Sequence, residues 1–164
     1  MPFDTYVELD GIDGEATAKG FEGKIEIFSF SWGASAPVTI GPGSSGISAS
    51  RVSISSFNVM KKTDKASALL FQRCCEGQHI DTVIVTLRKA GGTAGQQKFL
   101  VYTFSGVMVE SIQWSGSSGG DDSPTESLSL AFSKVKIEYF QQDKTGKMAT
   151  AGQGLWDLTK VSSK

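Results

Sequence analysis

The sequence has almost none of the residues that catalytic and metal-binding sites most often require. It holds one histidine, His79, and two cysteines among its 164 residues. Cys74 and Cys75 are adjacent, so they cannot build a disulfide framework, and this usage is typical of a chain made in a reducing cytosol. A zinc site needs three or four ligands, and the sequence has no second cluster of histidine and cysteine. We therefore predict a protein without a metal or other cofactor.

The sequence also lacks an excess of charge of one sign and a long hydrophobic run. Sixteen basic residues oppose 17 acidic ones, which is not the charge of a nucleic-acid-binding protein. The longest apolar stretch, residues 99–109, is far shorter than the ~20 residues that span a bilayer. Residues 1–15 are acidic and lack the apolar region of a secretory signal. We expect no nucleic-acid partner, no membrane insertion and synthesis in the cytoplasm without a signal peptide.

Glycine is abundant, with 19 residues, and it lies mostly between segments with the apolar pattern of β-strands. Tight antiparallel reversals need positive φ angles, which glycine adopts without steric penalty. The pattern predicts a mainly β protein whose last three strands are long and form a meander. The six predicted strands are residues 3–9, 24–35, 51–61, 80–89, 97–114 and 126–140.

Three of the predicted strands change the phase of their apolar alternation. The changes fall at Ile27/Phe28, Ser55/Ser56 and Ser133/Lys134. Because side chains alternate with period two, each change indicates either an inserted residue or a strand that passes to another buried face. Gly106 predicts a bend in the longest strand. Together these features favour a strongly coiled antiparallel β-barrel over a flat, one-sided sheet, built as a single domain over residues 1–164.

One short α-helix is expected at about residues 64–76. Thr63 or Asp64 is placed to cap its start, and Gly77 is placed to end it. Apolar residues follow at helical spacing, among them Leu69 and Leu70. The helix is too short to cover a sheet, so we expect it to close one barrel end or pack on the outside. Residues 36–50 are too long for a hairpin connection and are predicted to be an extended loop that is functional or disordered.

Two glycine motifs and one aromatic stripe resemble functional signatures but lack the sequence context that those functions require. The G-x-G-x-x-G at residues 41–46 precedes a strand, whereas a dinucleotide site requires a helix. The G-x-S-x-G at residues 116–120 also precedes a strand, and His79 lies before it rather than after it. The aromatic stripe Phe28, Phe30 and Trp32 fits a core face better than a nucleic-acid platform, because no basic residues surround it. We therefore predict a structural protein and not an enzyme.

Several strings occur in an order that resembles the haemolysin-coregulated protein family, the tube protein of bacterial type VI secretion. These strings are Gly14-Glu15, Phe30-Ser31-Trp32-Gly33, Gly77-x-His79 followed by TVIVTLRKAGG, the turn SGSSGGDD, Pro124-Thr125-Glu126 followed by LSLAFSKVKIEY, and Trp156-Asp157.

The resemblance implies a two-sheet barrel whose copies form hexameric rings that stack into a hollow tube. It implies export from the cell through the type VI apparatus, with sheath, spike and effector proteins as partners. The family's loop that reaches the neighbouring ring corresponds to residues 36–50. The ring-stacking residues would be Val38, Ile40, Gly41, Pro42, Gly43, Ser44, Ser45 and Gly46.

Two other readings of the sequence remain open. One is a monomeric β-sandwich that binds a carbohydrate or a hydrophobic ligand, with Trp32, Trp114 and Trp156 as its platform. The other is a phage-type tail tube protein, which shares the predicted architecture.

Overall fold

The computed structural model describes residues 3–41, 46–90, 95–120 and 122–164. Helix α1 spans Ala66–Glu76. The strands are β1 (Asp4–Leu9), β2 (Ile25–Ile27), β3 (Ser29–Ser31), β4 (Ala34–Ser35), β5 (Val38–Ile40), β6 (Ile47–Ala49), β7 (Ser53–Ile54), β8 (Phe57–Lys62), β9 (His79–Ala90), β10 (Gln96–Ser115), β11 (Thr125–Ala131), β12 (Lys134–Gln142) and β13 (Met148–Asp157).

The main sheet is antiparallel and has the order β2-β1-β9-β10-β11-β8-β3. Its two outermost strands, β2 and β3, are consecutive in the chain and are separated only by Phe28. The amide of Phe28 donates a hydrogen bond of 3.1 Å to the carbonyl of Met60 in β8. One segment of chain therefore pairs at both edges of the sheet and curls it into a barrel, which confirms the predicted fold class.

The long strand β10 belongs to both sheets of the barrel. Its first half pairs with β12, which also pairs with β13, and its second half pairs with β11. Between the halves, Gly106 has a φ angle of +60° and lies against Ser133. The Ser133 amide donates to the carbonyl of Ser105 at 3.0 Å. The predicted bend at Gly106 is confirmed, and it divides β10 between its two partners.

The three predicted phase changes are breaks between strands, not inserted residues. Phe28 separates β2 from β3, Ser55 and Ser56 separate β7 from β8, and Phe132 and Ser133 separate β11 from β12. At each break the chain exchanges one set of hydrogen-bonded neighbours for another. The alternation changes phase because the chain passes to a different part of the barrel, where a different face is buried.

Aromatic rings fill one end of the core. Phe57 and Phe104 are fully buried, with ring centroids 4.9 Å apart. Trp32 packs edge-on against Phe104 at 5.5 Å, and Phe30 stacks on Phe57 at 5.6 Å. Two members of the predicted aromatic stripe therefore face the core. Phe28 does not: it is 57% exposed, because the strand is interrupted there.

The helix lies close to its predicted position. Neither predicted residue is the N-cap, because Lys65 takes that position and makes no side-chain cap. Asp64 Oδ1 accepts a hydrogen bond of 3.0 Å from the Ala66 amide, and the Thr63 hydroxyl donates to the Pro124 carbonyl. Gly77 ends the helix in the left-handed conformation, with φ 64° and ψ 32°. Ala66 and Leu70 are fully buried, and the helix packs against β10. Leu69 was expected on this apolar face but is 44% exposed. None of the described helices has the length and apolar character needed to cross a bilayer.

Candidate functional site: an exposed hairpin arm

The segment predicted to be a loop is a β-hairpin within the described residues. We call residues 34–54 the hairpin arm. Strand β4 pairs with β7 at its base, and β5 pairs with β6 further out, in the register Val38↔Ala49 and Ile40↔Ile47. The amide of Ser50 donates to the carbonyl of Pro37 at 2.7 Å. The segment was predicted to be an extended loop without strand structure, and this part of the prediction was wrong because valine, threonine and isoleucine favour strands even without a buried face.

One serine closes the base of the hairpin arm. The Ser55 amide donates to the carbonyl of Gly33 at 2.9 Å, and the Gly33 amide donates to Ser55 Oγ at 2.9 Å. The Ser55 hydroxyl also donates to the Gly33 carbonyl at 3.2 Å. These bonds hold the outgoing and returning segments of the chain together where the arm leaves the barrel. They therefore fix the direction in which the arm projects.

The outer part of the hairpin arm exposes large apolar side chains. Val38 is 54% exposed, Ile40 75% and Ile47 74%. No charged residue occurs between Gly33 and Ser50. Exposed branched side chains on a segment without charge are typical of a surface that another protein covers. Of the predicted stacking residues, Val38, Ile40, Gly41 and Gly46 lie in the described arm, and Pro42, Gly43, Ser44 and Ser45 lie outside the described residues.

The structure does not assemble the candidate nucleophile and base of the G-x-S-x-G motif. Ser117 and Ser118 lie in the turn that follows β10, and the Gly120 amide donates to the Ser117 carbonyl at 3.4 Å. His79 pairs with Met108, seven strand residues before the end of β10. Seven residues of strand span roughly 23 Å, far beyond hydrogen-bond distance. The motif is a turn, as predicted.

The cysteines and the histidine also remain apart from other metal ligands. Cys74 is half-buried, and Cys75 and His79 are exposed. Among the residues that the structure describes, no group of three or more histidine, cysteine and acidic side chains is placed to hold a metal ion.

Two carboxylates with lowered pKa values act as turn-forming groups. The side chain of Thr145 donates to Asp143 at 2.6 Å, and this bond is the main reason that the pKa of Asp143 lies below its ordinary value. Thr159 lowers the pKa of Asp157 in the same way, again through a bond of 2.6 Å. Both carboxylates are exposed and stay ionised, which suits turns and not acid catalysis.

Sequence patterns missed a buried ion pair at the opposite end of β8 from the hairpin arm. Lys61 and Glu126 are both fully buried, and Lys61 Nζ lies 2.6 Å from Glu126 Oε2. Lys61 Nζ also donates to Asp64 Oδ1 at 2.9 Å and to Ser67 Oγ at 3.2 Å. The indole nitrogen of Trp114 donates to Glu126 Oε1 at 2.6 Å. The network joins β8, β10 and β11 to the start of α1.

The three tryptophans lie against different neighbours and do not form a shared platform. Trp32 packs on Tyr102 and Phe104 in the core. Trp156 is half-buried in β13, opposite Val135. Trp114 is 44% exposed beside Phe71 of α1, with ring centroids 5.9 Å apart. A ligand platform of the kind considered from the sequence would therefore retain only Trp114.

The sequence matches known type VI secretion proteins over most of its length. A profile for the family described as "Type VI secretion system effector, Hcp" matches residues 6–139. Protein hcp1 from Pseudomonas aeruginosa is 34% identical over 96 residues. That match spans 58% of this chain and 58% of the length of the relative.

The fold matches solved structures over its whole length. A structure described as a type six secretion system protein has a TM-score of 0.91 at 34% identity, covering 99% of this chain and 100% of that chain. Hcp1 from Salmonella typhimurium has a TM-score of 0.79 at 30% identity, covering 100% of both chains. The similarity in fold therefore includes the barrel and the chain region of the hairpin arm.

Proposed function

Because this chain belongs to the Hcp family of type VI secretion tube proteins, we propose that it is a structural subunit that assembles into hexameric rings, which stack into a tube. The observation that carries the proposal is the hairpin arm, whose exposed apolar side chains have no partner surface in the described part of the chain. A closed ring also removes exposed strand edges, such as that of β13, which pairs with β12 alone among the described strands.

In the proposed assembly the hairpin arm is the stacking element. Val38 and Ile40 on β5, together with Ile47 on β6, form its contact surface. Apolar side chains that are more than half exposed gain stability when a second protein covers them. An arm that projects from one end of a subunit can reach the next ring.

The proposed subunit has no catalytic activity of its own. The Hcp family consists of structural secretion proteins and is secreted through the type VI system. We propose that this chain is made in the bacterial cytoplasm and exported by the same route, with the sheath, spike and effectors of the apparatus as partners. Within the described residues, the serines of the G-x-S-x-G motif lie far from His79, which agrees with a structural role.

Native mass spectrometry of the purified full chain tests the proposed assembly. We expect a hexamer as the principal species at micromolar concentration, and rings with sixfold symmetry in electron micrographs. A chain that stays monomeric at this concentration would contradict the proposal and would favour the monomeric binding module. Rings with another subunit number would contradict the proposed sixfold symmetry but not the proposed ring assembly.

A further inference from the structure

The hairpin arm and a surface recess lie at opposite ends of the same strand. The chain leaves the arm at β7 and enters β8 at Phe57, and β8 ends at Lys62. Lys62 lines a recess of about 560 Å³ together with Phe28. Six strand residues separate the two ends by roughly 20 Å. A subunit therefore cannot place its own arm in this recess, but a second copy displaced along the strand direction can.

The antiparallel partner of β8 confirms this placement. In the β3–β8 ladder, Ser29 pairs with Met60 and Ser31 pairs with Asn58. Phe28 therefore lies at the Lys62 end of the ladder. The chain that leaves β3 continues through Gly33 into the arm at the other end. Strand β3 therefore runs from the recess towards the arm, and strand β8 runs from the arm towards the recess.

Three of the residues that line the recess are apolar, and Phe28 is the most exposed of them. Phe28 is 57% exposed, and Ile27 and Ala16 line the recess beside it. Four of its ten lining residues are charged: Glu15, Glu26, Lys62 and Asp64. The recess is open to solvent on one side, so a side chain of another protein can enter it. It offers an aromatic surface with charges around it, which is the usual composition of a protein-binding site.

The chemistry of the hairpin arm matches this recess. The arm has no charged side chain between Gly33 and Ser50, so it adds no charge to a recess that already holds three carboxylates and one ammonium group. Ile40 and Ile47 are cross-strand neighbours and are both about three-quarters exposed. On the premise that the protein stacks as proposed above, we propose that the Phe28 recess of one copy receives Ile40 and Ile47 of the next copy.

This contact repeats without closing. The two surfaces are different and lie at opposite ends of the subunit, so each copy that donates an arm leaves its own recess open for another. Head-to-tail contacts of this kind give an open stack. The recess thereby sets the polarity of the proposed tube, with every arm pointing in one direction.

Disulfide trapping tests the contact directly. The starting variant is Cys74→Ser/Cys75→Ser, which removes the native thiols. Rings of Ile40→Cys and rings of Phe28→Cys, both in this background, are mixed and oxidised. We expect a cross-linked dimer in the mixture and none with either ring population alone. The matched control replaces Phe28→Cys with Phe3→Cys, since Phe3 is also an exposed phenylalanine, at 52%, and we expect no cross-link there.

A second variant separates docking from folding. Phe28→Ala is expected to leave the hexamer intact and to raise the critical concentration for tube growth roughly tenfold or more, as for other central interface residues. Phe3→Ala is expected to leave this critical concentration unchanged. Two results would overturn the assignment of the recess alone. One is normal tube growth by the Phe28→Ala variant, and the other is a cross-link of Ile40→Cys to Phe71→Cys in place of Phe28→Cys. Failure of the unsubstituted protein to form tubes would overturn the proposed stacking as well.

Discussion

Lys61 and Glu126 are charged side chains that the fold removes completely from water. Burial of two charges is costly unless their geometry is good and other polar groups surround them. Both conditions are met, since Asp64 and Ser67 add contacts to Lys61 and Trp114 donates to Glu126. Because these residues come from three strands and the start of α1, the network fixes where the helix begins relative to the barrel.

Substitution Glu126→Gln tests the importance of this pair. It keeps the shape of the side chain and an oxygen that accepts from Trp114, but it leaves the buried Lys61 without its nearest opposite charge. Breaking a buried pair in this way costs about 3–5 kcal/mol. We expect the free energy of unfolding, measured by urea denaturation at a fixed protein concentration, to fall by that amount.

The matched control is Asp64→Asn, which removes the second carboxylate at the same ammonium group. Asp64 is less buried than Glu126, with 13% of its side chain exposed, so water replaces part of its contact. We expect Asp64→Asn to cost less than half as much as Glu126→Gln. Equal losses from the two variants would show that no single carboxylate holds Lys61 in place.

At the scale of elements, the bend in β10 determines how the two sheets join. Gly106 has a φ angle of +60°, in the left-handed region that favours glycine, and a Cβ there would meet the Ser133 hydroxyl. That hydroxyl donates to the carbonyl of Ser105 at 2.9 Å. The bend and the break between β11 and β12 are therefore one structural feature, held by a serine that packs against a glycine.

Substitution Gly106→Ala is expected to destabilise the barrel. The left-handed backbone alone costs a non-glycine residue about 1–2 kcal/mol, and displacement of Ser133 adds to this. We expect a loss of about 2–4 kcal/mol in the free energy of unfolding, typical of a strained backbone position with a clash. Gly152→Ala in β13 is the control, because its φ is not positive and no atom lies within 4 Å of the added Cβ. An equal loss at Gly152 would contradict the special role of Gly106.

The elements that the sequence predicted well are those that bury one face. The alternation in residues 80–89 and 97–114 located β9 and β10 to within two residues at each end. Strand β13 and the hairpin arm were missed as strands because their side chains are mostly exposed, so no alternation marks them. Period-two patterns report burial, and a strand that buries neither face leaves no such pattern.

The buried ion pair was missed for a different reason. Phe57, Val59 and Lys61 alternate along β8, and Glu126 precedes Leu128 by two residues in β11. Their positions therefore predicted burial, while their charge predicted exposure. Residue type argues against burial at these two positions, because lysine and glutamate are almost never fully buried unless paired. The pairing partner lies 65 residues away in the sequence, where only the fold brings it close.

At the scale of the whole molecule, the two ends of the barrel differ in chemistry. One end carries the hairpin arm, whose outer part has no charged residue, and the other carries the Phe28 recess and the turn after β10. In the proposed tube, each ring would make the same arm contact once per subunit. A small loss of binding free energy at one arm contact is therefore multiplied by the number of subunits in the ring. Ring stacking should respond steeply to changes in the arm for this reason.

The double substitution Ile40→Ser/Ile47→Ser is expected to separate ring formation from tube growth. Full burial of an isoleucine contributes about 1.5–3 kcal/mol, so each subunit loses at least about 3 kcal/mol of stacking free energy. We expect sedimentation velocity to show intact hexamers and no longer species, and electron micrographs to show single rings. Thr39→Ser, which changes the same strand without loss of an isoleucine, is the control and should still form tubes. Dissociation of the rings themselves would place the hairpin arm in the contact between neighbouring subunits of one ring, and unchanged tubes would show that the two isoleucines are not buried on stacking.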